Sequence, residues 1–307
     1  MNTPSNAIPG FPAGSQAAAP AVSSSMRPFY WSIRRELWEY RVLYLAPLMA
    51  AALLLLAVLV RTIVERYHMH GVLPADPAQR FLPHQHFELA AALIMGVGLL
   101  VGLYYTLDAL YGERRDRSIL FWKSLPVSDL TAVLAKLTIP LVVVPVLTFV
   151  IAVAAGIIML MLGSVVLLGS GVRISELWTN SAFFYVALLW FYHLLLVHGL
   201  WYAPIYGWLL LVSAWSPRAP LVWAVLPPFV VCGVEKLAFN TTYALAWIQE
   251  RFLGPSHSGM AGNASKNLAA ELIPQHFFSE PGLWIGLAIA ALLLFGTIRL
   301  RRYRGPI

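Results

Sequence analysis

The sequence predicts an all-α integral membrane protein with six spanning helices, on three observations. The 307-residue chain is 59% hydrophobic and only 11% charged, with mean hydropathy +0.71, more apolar side chain than a soluble domain buries. Its apolar residues fall into runs that reach or exceed the roughly 20 residues needed to cross a hydrocarbon core about 30 Å thick. Its Lys and Arg gather at the ends of those runs, as membrane orientation requires. The net charge of +7 therefore reads as orientation and not as a nucleic-acid surface, because no basic stripe with interleaved aromatics is present. A single cysteine, Cys232, excludes an intramolecular disulfide and, among apolar neighbours, reads as a structural thiol.

The chain divides into a tail, residues 1–26, and a transmembrane domain, residues 27–307. Met1–Ser25 is rich in Ala, Pro, Ser and Gly, carries no charged side chain and lacks the basic leader and apolar core of a secretory signal, so it reads as disordered. Arg27–Tyr44 mixes Phe29, Tyr30, Trp31, Trp38 and Tyr40 with Arg34, Arg35, Glu36, Glu39 and Arg41, and reads as an interfacial helix that rests at headgroup level. The first span runs from Leu45 to about Val64 and the second from Leu89 to Tyr111. Between them lies an exposed connection with prolines at 74, 77 and 83 and four histidines.

After a charged loop, Pro126 ends a short helix Ser118–Leu125, and Ser128 caps a new helix that enters the membrane as the third span, up to about Leu162. Gly163–Asn180 is a second exposed connection. Phe183–Trp215 is apolar throughout, and hydropathy does not distinguish one kinked span from two. Topological parity favours one. Spans at about Leu221–Phe239 and Leu283–Ile298, separated by a polar connection 240–281, then bring the count to six and place both termini with the charged loop on the cytosolic side.

Several polar residues are candidates for more than structure. Asp108, near the inner end of span two, is expected to pair at the interface, and Glu235 and Lys236 stand at the outer end of span five. His68, His70, His84 and His86 lie in the first exposed connection, without the cysteine or carboxylate spacing that completes a metal set. His193 and His198 are expected to hydrogen-bond within the bundle, and Gly98 and Gly102 to pack helices within the chain. No metal ligand set is assigned.

The thirty residues Leu107–Lys136 are the most informative. The segment YGERRDRSILFWKSLPVSDLTAVLAK, placed after span two, resembles the cytosolic coupling segment in the membrane subunit of type-2 ABC exporters. The resemblance extends in outline from Arg27 to the C-terminus. It implies a permease with six spans per subunit that pairs with a second membrane subunit and is driven by two ATPase subunits. It makes Arg27–Tyr44 the elbow helix, residues 112–136 the coupling loop, and Ser118–Leu125 a cytosolic coupling helix. Within that loop, Glu113, Arg114, Arg115, Asp116 and Arg117, followed by Ser118, are the polar residues expected to register an ATPase. Ile119, Phe121, Trp122 and Leu125, ending at Pro126, supply the apolar anchors.

The chain carries no Gly-x-x-x-x-Gly-Lys-Ser/Thr loop, so no cofactor is assigned to it, and ATP with magnesium is expected in the partner ATPase. The expected partners are that ATPase, a second permease subunit, identical or similar, and membrane lipid, in a bacterial inner membrane. Two other classes compete: a non-transporting envelope scaffold or sensor, and an integral membrane enzyme. The enzyme lacks a His-Glu-x-x-His motif, paired intramembrane aspartates or a nucleophile with its base.

Overall fold

The computed structural model describes residues 26–68, 84–124, 127–167, 178, 183–253 and 274–305, which are helical with no strand among them. Among the described residues, five helices are long and apolar enough to cross a membrane: Val42–Val64, Leu89–Arg115, Asp129–Val165, Pro220–Phe239 and Pro281–Tyr303. These are the helices of a multi-pass membrane protein. Their outward faces are apolar, with Leu53, Leu100, Phe229 and Leu292 between 65% and 74% exposed. Such faces suit lipid and are unstable in water.

In chain order, α1 is Met26–Glu39, α2 Val42–His68, α3 His84–Asp108, α4 Tyr111–Arg115 and α5 Ser118–Ser124. Next come α6 (Asp129–Thr138) and α7 (Val144–Leu167), joined through the π-helical turn Ile139–Val143, where Pro140 cannot donate an amide to the ladder. Then follow α8 (Phe183–His193), a second π-helical stretch Leu194–Trp201, α9 (Ala203–Trp215), α10 (Pro220–Phe239), α11 (Tyr243–Leu253), α12 (Pro274–Ser279) and α13 (Pro281–Tyr303). The expected cap at Ser128 is present: its side chain accepts from the Thr131 amide at 3.1 Å. The disordered-tail reading of Met1–Ser25 lies outside the described residues, as do Leu125, Pro126 and His70, and the side chains of His68, His84, His86 and His193.

The run Phe183–Trp215 advances without reversing. Phe183 packs at Gly156, Phe191 at Phe149, His198 reaches the Pro140 carbonyl at 3.1 Å, and Leu210 and Ala214 join the core with Tyr105 and Ala109. Its length is absorbed by the π-helical stretch and a break at Tyr202, below which α9 packs on α13. A central core of Leu43, Tyr105, Leu110, Ile139, Val144 and Leu210 joins α2, α3, α7 and α9. Gly98 and Gly102 pack within the chain as expected: a Cβ at Gly98 would overlap the Thr148 methyl, and one at Gly102 would touch Pro140 at 3.6 Å.

Within the connection 240–281 the described residues form α11 and α12, and Arg251 of α11 is only 2% exposed while Tyr243, Leu245 and Phe252 of the same helix are exposed. α11 is largely apolar in composition, and the burial of its one arginine depends on partners distant in sequence.

Candidate functional site

The ends of α1, α3, α6, α9 and α13 converge around α4 and α5, the two short helices of the charged loop. Glu113 of α4 is the hub, 5% exposed. Its Oε1 stands 3.2 Å from Lys136 Nζ of α6 and 3.7 Å from Arg35 of α1, and its Oε2 stands 3.4 Å from Arg301 of α13. Lys136 also donates to Glu36 Oε1 at 2.8 Å, Tyr105 donates to Glu36 Oε2 at 2.8 Å, and Arg301 donates to Asp129 at 3.1 Å. Three carboxylates thus meet three cations, which lets Glu36, Glu113, Lys136 and Arg301 be buried while charged. A cavity of about 170 Å³ opens beside them, lined by Arg35, Glu36, Glu113, Lys136 and Arg301 with Trp31 and Trp122.

Hydrogen bonds to helix ends fasten the loop in addition to the ion pairs. Ser213 Oγ of α9 accepts the Leu110 amide at 3.0 Å and the Tyr111 amide at 2.9 Å, capping α4 from another helix. Arg114 donates to the Ala214 carbonyl and Arg304 to the Trp215 carbonyl, so two cations close the negative end of α9. Lys123 of α5 donates to the Arg302 and Arg304 carbonyls at 3.4 and 3.2 Å, doing the same for α13. The Arg35 guanidinium lies 3.3 Å from the Trp122 ring centroid, holding α5 against α1. Between α4 and α5, Arg117 takes a left-handed φ of 57°, which makes the sharp turn at a residue type that disfavours it.

The structure divides the loop residues into two groups. Glu113, Arg114 and Ile119 point inward, at 5%, 5% and 2% exposure, so in this arrangement they organise the loop and do not face a partner. The charges of Glu113 and Arg114 are taken up by internal partners. Ser118 and Trp122 are half-buried, with Ser118 Oγ donating to the Glu113 carbonyl at 3.4 Å. Arg115, Asp116, Arg117 and Phe121 are exposed, as is Leu120, which sequence reasoning passed over. Also missed were Glu36, Lys136, Arg301 and Ser213 as network members. The available signal was that each charged residue stands at the edge of an apolar run at one membrane depth.

Asp108 pairs as expected, accepting from Tyr40 at 3.0 Å with Arg115 at 3.8 Å. Burial, with the Asp108 carboxylate beside it, raises the Tyr40 phenol well above its ordinary value and keeps it a donor. Glu235 is a cap: its carboxylate takes the Tyr243 and Ala244 amides at 2.6 and 2.8 Å and the Thr241 hydroxyl at 2.7 Å, closing the N-terminus of α11. His198 hydrogen-bonds within the bundle, to Pro140 and to the Tyr206 hydroxyl at 3.2 Å.

A second buried polar site lies away from the loop. Arg251 donates to the Trp201 carbonyl at 3.4 Å and to the Gly282 carbonyl, and its guanidinium lies 4.2 Å from the Trp201 ring and 5.1 Å from the Trp247 ring. Gly282 and Arg301 are 19 residues apart on α13, about 28 Å at 1.5 Å per residue, so the two sites stand at opposite ends of that helix. The chain matches no protein-family model, no curated protein and no solved structure.

Proposed function

We propose that this chain is the membrane subunit of an ATP-driven exporter of the type-2 ABC class. Counting Phe183–Trp215 as a crossing gives six spans, with both termini and the charged loop in the cytosol of a bacterium bounded by an inner membrane. Two such subunits, identical or similar, would enclose a path, and separate ATPases that hold ATP and magnesium would drive it. The observation that carries this reading is the build of the loop: α5 turns Leu120 and Phe121 outward, each 59% exposed, beside Arg115, Asp116 and Arg117. Apolar anchors ringed by charge are the composition of a docking surface.

The internal pairing explains how force at that surface reaches the membrane. A push on α5 acts on α1 through Arg35 and Trp122, on α6 and α13 through Glu113, and on α9 through Arg114 and Ser213. The loop thus moves with four helices at once, where a lever hinged at Pro126 would move alone. Bistable packing of those helices is what alternating access requires.

The test is purification of the tagged chain from its native membrane in mild detergent. We expect a P-loop ATPase to stay bound to the wild type and to be lost from F121A/R117E, with the variant still inserted and folded. Recovery of no ATPase under conditions that preserve other complexes would overturn the reading and favour a scaffold.

A further inference from the structure

The outward face of α1 carries a ladder of alternating indole and guanidinium groups. Trp31, Arg34 and Trp38 follow one another at steps of three and four residues, which places them on one side of α1, and Arg41 follows in the turn that leads into α2. All four are exposed, Trp31 to 58% and Trp38 to 70%, while the opposite side presents Glu36 to the buried network. Arg34 stacks against both indoles, 5.2 Å from the Trp31 centroid and 5.0 Å from that of Trp38. Glu39, the acid nearest this face, turns to Arg35 at 3.0 Å and leaves the ladder cationic.

The ladder continues into a surface that lipid must cover. Leu45 follows Arg41 at the same spacing, 46% exposed, and Met49 and Leu53 follow it, 64% and 65% exposed, on the outer face of a spanning helix. Arg41 therefore stands where the apolar face of α2 begins, and Arg34 stands between two exposed indoles of α1, the residue type that gathers at phospholipid headgroup depth. We propose that this face binds the headgroups of anionic phospholipid, with Arg34 and Arg41 taking phosphate oxygens and Trp31 and Trp38 lying at glycerol depth. Guanidinium suits this role because its fork of donors matches phosphate geometry. The occupied ladder holds α1, and with it Glu36, against the charged loop. The inference rests on the membrane character of the chain and is independent of the transport reading.

The test uses the full chain purified in neutral detergent and titrated with fluorescent phosphatidylglycerol or phosphatidylcholine. A basic residue near an anionic surface contributes about 1 kcal/mol, which is about fivefold in affinity, so R34Q/R41Q is expected to lose about thirtyfold in preference for phosphatidylglycerol. R218Q/R302Q, which removes the same net charge elsewhere, is expected to keep the preference. Equal binding of both lipids by the wild type, an unchanged preference in R34Q/R41Q, or an equal loss in R218Q/R302Q would each overturn the proposal. If R34Q/R41Q does not purify folded, the wild type decides it: the preference falls as salt rises, and a salt-independent preference overturns the site.

Discussion

At the loop end of the bundle, Glu36, Glu113 and Asp129 face Arg35, Lys136 and Arg301 in one network, whereas at the other end of α13 Arg251 is buried against two backbone carbonyls and two indoles. No carboxylate among the described residues stands within ion-pair distance of Arg251. Both ends solve the same problem, a guanidinium away from water, by different means. Opposite charges share the burden in the first, and the carbonyls and ring faces of a helix break and a helix start carry it in the second. Burial also holds the Arg251 guanidinium below its usual range, although arginine stays charged. The difference teaches where each end is brittle. A balanced network loses its balance when any member goes, while a cation held by carbonyls leaves only neutral groups behind.

The largest expected effect is at Glu113. E113A leaves Lys136 and Arg301 short of a partner inside the protein, and is expected to cost about 3–5 kcal/mol, read as earlier thermal unfolding in detergent. A cycle with R301A sharpens this, since the double variant is expected to lose less than the sum of the singles. R251M removes a charge but strands only the Trp201 and Gly282 carbonyls, so about 1–3 kcal/mol is expected in the same assay. A loss at Arg251 as large as that at Glu113 would erase the distinction between the two ends. S213A uncaps α4 and is expected to cost about 1 kcal/mol, with faster amide exchange at Leu110 and Tyr111. The smallest change is expected from E235Q, which weakens an exposed cap: exchange at Tyr243 and Ala244 quickens while unfolding barely moves.

Much of the fold was legible because a bilayer imposes a length and an apolar composition on anything that crosses it. Val42–Val64, Pro220–Phe239 and Pro281–Tyr303 stand close to where hydropathy placed them. The Ser128 cap, the aromatic helix before span one and the short helix beginning at Ser118 were legible from local chemistry. The burial of Arg251 in α11 was not, because a charged side chain reads as exposed unless its partners are known. Nor was the division of the loop into inward Glu113 and Arg114 and outward Arg115 and Arg117, since neighbouring charges look alike in one dimension.

The sequence by itself determined that this is a helical membrane protein with its cations at the helix ends, since those features follow from the composition of each segment. Only the tertiary structure decided which charges are structural. Lys136 and Glu36 are 100 residues apart, and Arg301 and Asp129 are 172 apart. The free energy of a buried charge depends on what stands within a few ångströms of it, and chain separation carries no record of that distance.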